Sequence, residues 1–187
     1  MAGRHPDRNE APAATSRLYI ASWPDAAARA AIVGWRDANR WPPGTRAVEP
    51  ALLHLTLHFL GPVPAARLPA LQAALAGVDA EPCVLQLDRF ERWPHGLGVL
   101  ASTLPVPAAL AARHAALGRA LAGLGLPLDA RAYRPHVTVL RRLPAAAGAA
   151  GETCSPPAVV WPVRDHVLVR SDRGEHLVLS APGTPAG

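Results

Sequence analysis

Two His-x-Thr triplets, His54-Leu55-Thr56 and His136-Val137-Thr138, stand 82 residues apart, each inside an apolar run. With eight His and seven Thr in 187 residues, chance placement gives fewer than one such triplet, so the pair reads as a motif. Both runs have the character of buried strands. Alternate side chains of a strand share a face, so His54, Thr56 and His58 turn one way and Leu53, Leu55, Leu57 and Phe59 the other. His136 and Thr138 likewise face away from Val137 and Val139. Two imidazoles and two hydroxyls with an arginine nearby, and no Cys or Asp motif or phosphate-cradling glycine loop, suit phosphoester hydrolysis. A neutral His, with an ordinary pKa near 6.5, can take a proton from water while a protonated one gives a proton to the departing oxygen. Thr hydroxyls and a guanidinium stabilise the charge that grows on the phosphoryl oxygens.

The remaining histidines are read differently. His58 shares the face of His54, but four residues along a strand is about 13 Å, too far to act on the same proton, so it is a groove-edge residue. His5 falls in a polar tail, His95 in a turn, His114 on a helix with an exposed or partly packed side chain, and His166 and His176 in ordinary strand positions.

The elements that must carry the two triplets follow from periodicity and punctuation. Arg17–Ser22 reads as a strand stopped by Pro24, and Asp25–Asn39 as a helix with Ala28, Ile32 and Trp35 at helical spacing. Arg46–Pro50 is extended chain leading into the first His-x-Thr strand, which Gly61-Pro62 ends. A second helix is expected over Pro64–Ala76, then strands over Cys83–Phe90 and Gly96–Thr103 separated by a turn at Trp93–Gly96. Pro107–Gly123 is an Ala/Leu helix with Pro at its start and Gly at its end. Arg131–Pro135 delivers the second His-x-Thr strand, and 143–158 is a Pro/Ala/Gly-rich loop containing Cys154. Asp165–Ser171 and Glu175–Ser180 form a hairpin across Asp172-Arg173-Gly174. The halves repeat a theme. That predicts a duplicated α+β unit of two lobes, antiparallel-rich sheets lining a central groove and helices outside, in which His54 and His136 approach one point.

Composition bounds the rest. The chain has no Lys, so all 19 basic residues are Arg, and the formal charge is +5. This charge suits attraction to a polyanion such as RNA, and suits equally a basic surface inherited from base composition, since no compact Arg run marks a patch. Cys83 and Cys154 make no disulfide framework and no CxxC, which points to a reducing compartment. No segment has the length and apolarity of a membrane span or signal core, and a soluble, cytoplasmic monomer is expected. The expected organisation is a disordered tail over 1–14, a single two-lobed domain over 15–181 and a tail over 182–187. No carboxylate cluster or His/Asp ligand spacing calls for a metal, and no cofactor is expected.

The segments Arg17-Leu-Tyr-Ile-Ala, His54-Leu-Thr-Leu-His-Phe-Leu-Gly61 and Arg131-Ala-Tyr-Arg-Pro-His-Val-Thr-Val-Leu-Arg141, in this order, resemble the 2H phosphoesterases, specifically the RNA 2′,3′-cyclic phosphodiesterase family also called 2′-5′ RNA ligase. The resemblance spans Arg17 to Ser180. It implies that His54 and His136 are catalytic, that Thr56, Thr138 and Arg141 hold the cyclic phosphate, and that Arg131 and Tyr133 lie near the substrate. Arg142 is read as a solvated strand end. It implies hydrolysis of RNA 2′,3′-cyclic phosphate ends to 2′-phosphomonoesters with no metal, ligation as a reverse side activity, His136 as base and His54 as acid. Leu53 stands where the family often has Asn, and Tyr133 where Phe is common; neither touches the chemistry. Two other readings use the same groove: a non-catalytic module that binds RNA ends, and a phosphodiesterase for small cyclic nucleotides.

Overall fold

The computed structural model describes residues 15–144, 157–172 and 174–180. The expected tails, most of the Pro/Ala/Gly-rich loop with Cys154, and Arg173 of the expected hairpin turn lie outside the described residues. In chain order the elements are β1 (Thr15–Ser22), α1 (Ala26–Ala38), β2 (Arg46–Ala47), β3 (Leu55–Pro64), α2 (Leu68–Ala76), β4 (Cys83–Leu87) and β5 (Arg89–Trp93). They continue as β6 (Leu97–Ala101), α3 (Ala108–Gly123), β7 (His136–Arg141), β8 (Val159–Val163), β9 (Val167–Asp172) and β10 (Glu175–Ser180). Asp25 caps α1 by accepting the Ala28 N–H at 2.8 Å, and the helix buries Ala28, Ile32 and Arg36, four residues apart on one face.

One sheet runs β10-β9-β1-β3-β7-β6-β5, with β2 added against β7, and every described pair is antiparallel. The two His-x-Thr strands are neighbours at its centre, flanked by β1 and β6. Leading to each of them is the same unit: a strand, a helix, then the motif strand laid antiparallel to the first, as β1-α1-β3 and β6-α3-β7. The duplication expected from sequence is therefore visible as a symmetric sheet. β3 and β7 meet at a single residue pair, Leu55 with Val137. A separate two-stranded sheet pairs β4 with β8.

The main core gathers Leu18, Ile20, Ile32, Leu55, Leu100, Val137 and Trp161. On β1 the period-two rule divides the strand. Leu18 and Ile20 enter this core, while Tyr19 and Ala21 join Val167 and Val169 in a small cluster on the opposite face, with Trp23 packed against it.

Four expectations need correction. Cys83–Phe90 is not one strand: the chain turns at Asp88, whose carboxylate takes the N–H of Thr103 at 2.7 Å and its hydroxyl at 2.5 Å, and β4 and β5 enter different sheets. Gly61-Pro62 does not end β3. Gly61 adopts φ 68° and the strand runs to Pro64, paired with β1 on one side only, an edge position at which proline is tolerated. β8 was not foreseen, because Pro162 interrupts a run of only five residues. The fourth correction concerns His58 and is made below.

Candidate active site

Antiparallel register builds the site. With Leu55 opposite Val137, one residue to either side His54 stands opposite Thr138 and Thr56 opposite His136. All four side chains share one face. The strands then do the same irregular thing. In the β1–β3 ladder Thr56 pairs with Ala21 and His58 with Ile20, which leaves Leu57 unpaired. In the β6–β7 ladder Thr138 pairs with Val99 and Leu140 with Gly98, which leaves Val139 unpaired. Each motif strand thus carries a bulge residue immediately after its Thr, β3 having a second one at Leu60, and a bulge reverses the alternation beyond it. The fourth residue after each His, His58 or Leu140, turns into the core, and the fifth, Phe59 or Arg141, returns to the His-bearing face.

This overturns the reading that His58 shares the face of His54, although His58 does border the groove, as expected. His58 is 8% exposed and faces α3, where its Nε2–H donates to the carbonyl of His114 at 2.9 Å. Its ring stacks on His114, which stacks in turn on Tyr133, with centroids 4.1 and 4.0 Å apart. His114 is the partly packed helix residue expected, now with a role in this stack.

The two motif imidazoles are held alike. His54 Nδ1 is 2.7 Å from the carbonyl of Leu52, and His136 Nδ1 is 2.8 Å from the carbonyl of Arg134. A carbonyl only accepts, so Nδ1 carries the proton and, in each neutral ring, Nε2 is left with its lone pair. The spacing is identical, from the His ring to the carbonyl two residues earlier. Aromatic rings wall both. Tyr19, Trp23 and His176 surround His54 at centroid distances of 4.9, 5.6 and 5.7 Å. Trp93 lies 4.2 Å from His136, and Glu91 fixes it by accepting the indole N–H at 2.7 Å while also taking Arg134 at 2.9 Å.

Burial is the main cause that lowers both imidazole pKa values, because an imidazolium in a low-dielectric site loses hydration. His54 falls to about 4, pushed down further by His176, Arg141 and His136 and opposed by the bond to Leu52. His136 is lowered by burial and by Arg134, with its bond to Arg134 O and the Glu91 carboxylate working the other way.

Arg141 stands beside Arg46 across the β2–β7 pair and is close enough to act on His54 and His176. A groove of about 1110 Å³ opens from Thr56 and His136 and runs past Trp93, His58 and Tyr133. His54, Thr138 and Arg141 are outside its lining. Arg131 lies on the groove wall, but its guanidinium is engaged by the Asp129 carboxylate on the surface. Tyr133 also lines it, with a buried hydroxyl that has no partner among the described residues. Arg142 is exposed, with φ 55°.

Sequence reasoning missed Tyr19, Trp23, Trp93 and His176 as members of the site. His176, read as an ordinary strand residue, is brought to His54 by the β9–β10 hairpin. A signal for the tryptophans existed in the Trp-Pro pairs that close β1 and β5, but the same pair recurs at 41–42 and 161–162 and does not discriminate. No helix among the described residues is long and apolar enough to cross a membrane.

The fold, with its antiparallel-rich sheet and outer helices, is that of the 2H phosphoesterases, as its matches among solved structures show. Among solved structures, Escherichia coli LigT in apo form matches with a TM-score of 0.76 and 30% identity, over 89% of this chain and 96% of that one. LigT complexed with 3′-AMP matches with a TM-score of 0.77 and 28% identity, over 91% and 100%. A family model described as the 2′-5′ RNA ligase superfamily matches residues 23–175. RNA 2′,3′-cyclic phosphodiesterase of Escherichia coli (strain K12) is 33% identical over 146 residues, 78% of this chain and 80% of that protein. The chain belongs to the 2′-5′ RNA ligase superfamily.

Proposed function

We propose that this protein hydrolyses RNA 2′,3′-cyclic phosphate ends to 2′-phosphomonoesters, using His54 and His136 as the proton-transfer pair and no metal. The observation that carries the proposal is the matched anchoring of the two imidazoles on adjacent strands. Each Nδ1–H is bound by its own chain, and each Nε2 remains for the substrate, beside a Thr hydroxyl from the other strand. The name of the Escherichia coli relative and the binding of 3′-AMP by LigT agree with a nucleotide phosphoester as substrate.

The reaction needs water in line with the 3′-oxygen. His136 Nε2 takes the water proton, the new P–O bond forms, the P–O3′ bond breaks, and His54 gives its Nε2 proton to O3′. Thr56, Thr138 and Arg141 hold the non-bridging oxygens, where charge develops. With a nucleoside 5′-hydroxyl in place of water, the same step forms a P–O5′ bond, breaks P–O3′ and leaves a 2′-5′ linkage, which is ligation, but water at roughly 55 M makes hydrolysis dominate by mass action. Arg131 and Tyr133, on the groove wall, meet the RNA next to its cyclic end. The assignment of acid and base follows the family resemblance. In the free site His54 is held near 4, so the substrate phosphate, as the missing counter-ion, is what charges the acid.

A test follows directly. An oligonucleotide ending in 2′,3′-cyclic phosphate, incubated with the protein and EDTA, should be opened, and chromatography should show the 2′-phosphate isomer. A 3′-phosphate product would reverse the placing of the histidines about the ribose, and loss of activity on chelation, restored by one divalent ion, would remove the metal-free mechanism.

The pH dependence has a definite sign. The competent free form carries one proton on the pair, so kcat/KM is greatest between two pKa values that burial has pushed below the ordinary 6.5. The optimum for kcat/KM should therefore lie below about pH 6.5, falling on the alkaline side as the last imidazolium proton is lost. The optimum for kcat should lie higher, because the bound phosphate stabilises the imidazolium. A kcat/KM that rises from pH 6.5 to 8 would contradict this ionisation scheme.

A further inference from the structure

His176 stands on the His-bearing face by register. It pairs with Ser171, and Ser171 pairs with Arg17; directly opposed residues share a face, and Tyr19, two residues from Arg17, shares it too. His176 Nδ1 is 2.6 Å from the hydroxyl oxygen of Tyr19, a residue 4% exposed. Burial raises the Tyr19 pKa, so the phenol keeps its proton near pH 7. Burial and the Arg141 charge lower that of His176, so its ring is neutral and carries a single N–H. Nδ1 is the one hydrogen-bond partner of the Tyr19 hydroxyl among the described residues. The phenol therefore donates to Nδ1, and the ring proton belongs on Nε2. Among the described residues that Nε2–H has no acceptor.

We infer that His176 is a third imidazole of the anion site, donating Nε2–H to an oxygen of the phosphate held beside His54 and Arg141, with Tyr19 fixing the tautomer that makes it a donor. The inference rests on the phosphodiesterase reading for the identity of the anion. The geometry fits it. The His176 ring meets that of His54 edge-on with centroids 5.7 Å apart, a spacing at which nitrogens of both rings reach oxygens of one phosphate. Both rings lie within the electrostatic reach of Arg141. His176 differs from the motif pair in an informative way. In His54 and His136 a carbonyl takes the Nδ1 proton and leaves Nε2 a base, whereas a hydroxyl at Nδ1 of His176 leaves Nε2 an acid hydrogen-bond donor, suited to holding a phosphate oxygen and unsuited to accepting a proton from water.

The test uses the full chain and inorganic phosphate as the probe. Long-range 15N–1H spectra of the histidine rings at pH 7 should show His176 with its proton on Nε2, and its Nε2 resonance should move during a phosphate titration together with that of His54. Replacing His176 by Phe should weaken phosphate binding about tenfold, and replacing it by Gln, which keeps an N–H donor, by less than about threefold. Tyr19→Phe should release the tautomer, seen as partial protonation at Nδ1 of His176. A His176 protonated on Nδ1 in the unsubstituted protein, or a His176 ring that ignores phosphate while His54 or His136 responds, overturns the inference and leaves the phosphodiesterase reading standing. If no ring responds, the inference falls as well. Hydrolysis of the cyclic-phosphate oligonucleotide, measured on the same sample, then tells whether the reading falls with it.

Discussion

Replacing His54 or His136 by Ala is expected to lower turnover of a cyclic-phosphate oligonucleotide by about 10²–10⁴-fold in each case, the range for loss of a general acid or base. The two strand positions are equivalent, and each Nε2 is the only ring nitrogen left for substrate, so neither histidine can cover for the other. The double variant should be little worse than the poorer single one, because acid and base act as a unit. Folding should survive. Each substitution removes one hydrogen bond to a carbonyl at the mouth of the site, about 1 kcal/mol. Circular dichroism and the melting temperature would establish this. The same variants separate an enzyme from a module that only binds RNA ends: the module has no turnover to lose and would bind the cyclic end in every form. Near-normal turnover in either single variant would remove that histidine from the mechanism.

The largest expected effect on stability lies away from the site. Arg113 of α3 is 3% exposed, and its guanidinium bonds three carbonyls: Asp165 at 2.8 Å, Glu81 at 2.5 Å and Val163 at 3.5 Å. It thereby ties α3 to the approach to β4 and to the exit of β8. Methionine fills a similar volume but donates nothing, so Arg113→Met strands carbonyls in a buried place. The loss should be about 3 kcal/mol or more, since bonds from a charged donor contribute roughly 1.5–3 kcal/mol each and are not fully additive. For a chain of this size that corresponds to a fall in Tm of roughly 6–12 °C. Thermal melts monitored by circular dichroism would measure it, with turnover per folded molecule little changed; a Tm within about 2 °C of the parent would show the three bonds to contribute nothing net.

Much of this architecture can be read in the sequence, and the places where it cannot share a cause. The helices over 26–38 and 108–123, the two motif strands and the closing hairpin follow from apolar periodicity and from Pro, Gly and Asp at the ends. Sites that local rules describe were located: both His-x-Thr triplets lie where alternation puts them, side by side on one face. What periodicity cannot see is an extra residue in a strand. The bulges at Leu57 and Val139 arise from how neighbouring strands pair, and they are why His58, in phase with His54 on paper, ends up inside against α3. Contacts between distant strands are equally silent. Nothing near Glu175 in the sequence says that the next residue will face a tyrosine on β1, because that depends on β9 lying between them.

The hydrogen bond between Tyr19 and His176 joins residues 157 positions apart. It follows that the order of synthesis and the order of assembly differ. The wall of the site around His54 begins with β1, which is synthesised before every other described element, and is finished by β10, the last strand described. Throughout translation β1 waits without its partner β9, and its apolar run from Leu18 to Ala21 stays available to other contacts. Pairings of this separation place a chain among the slower folders of its size, since loop closure must be met before the contact returns anything. A ribosome-stalled chain ending before Val167 would carry both motif strands and the three described α-helices and would still lack one wall of the pocket in which His54 sits.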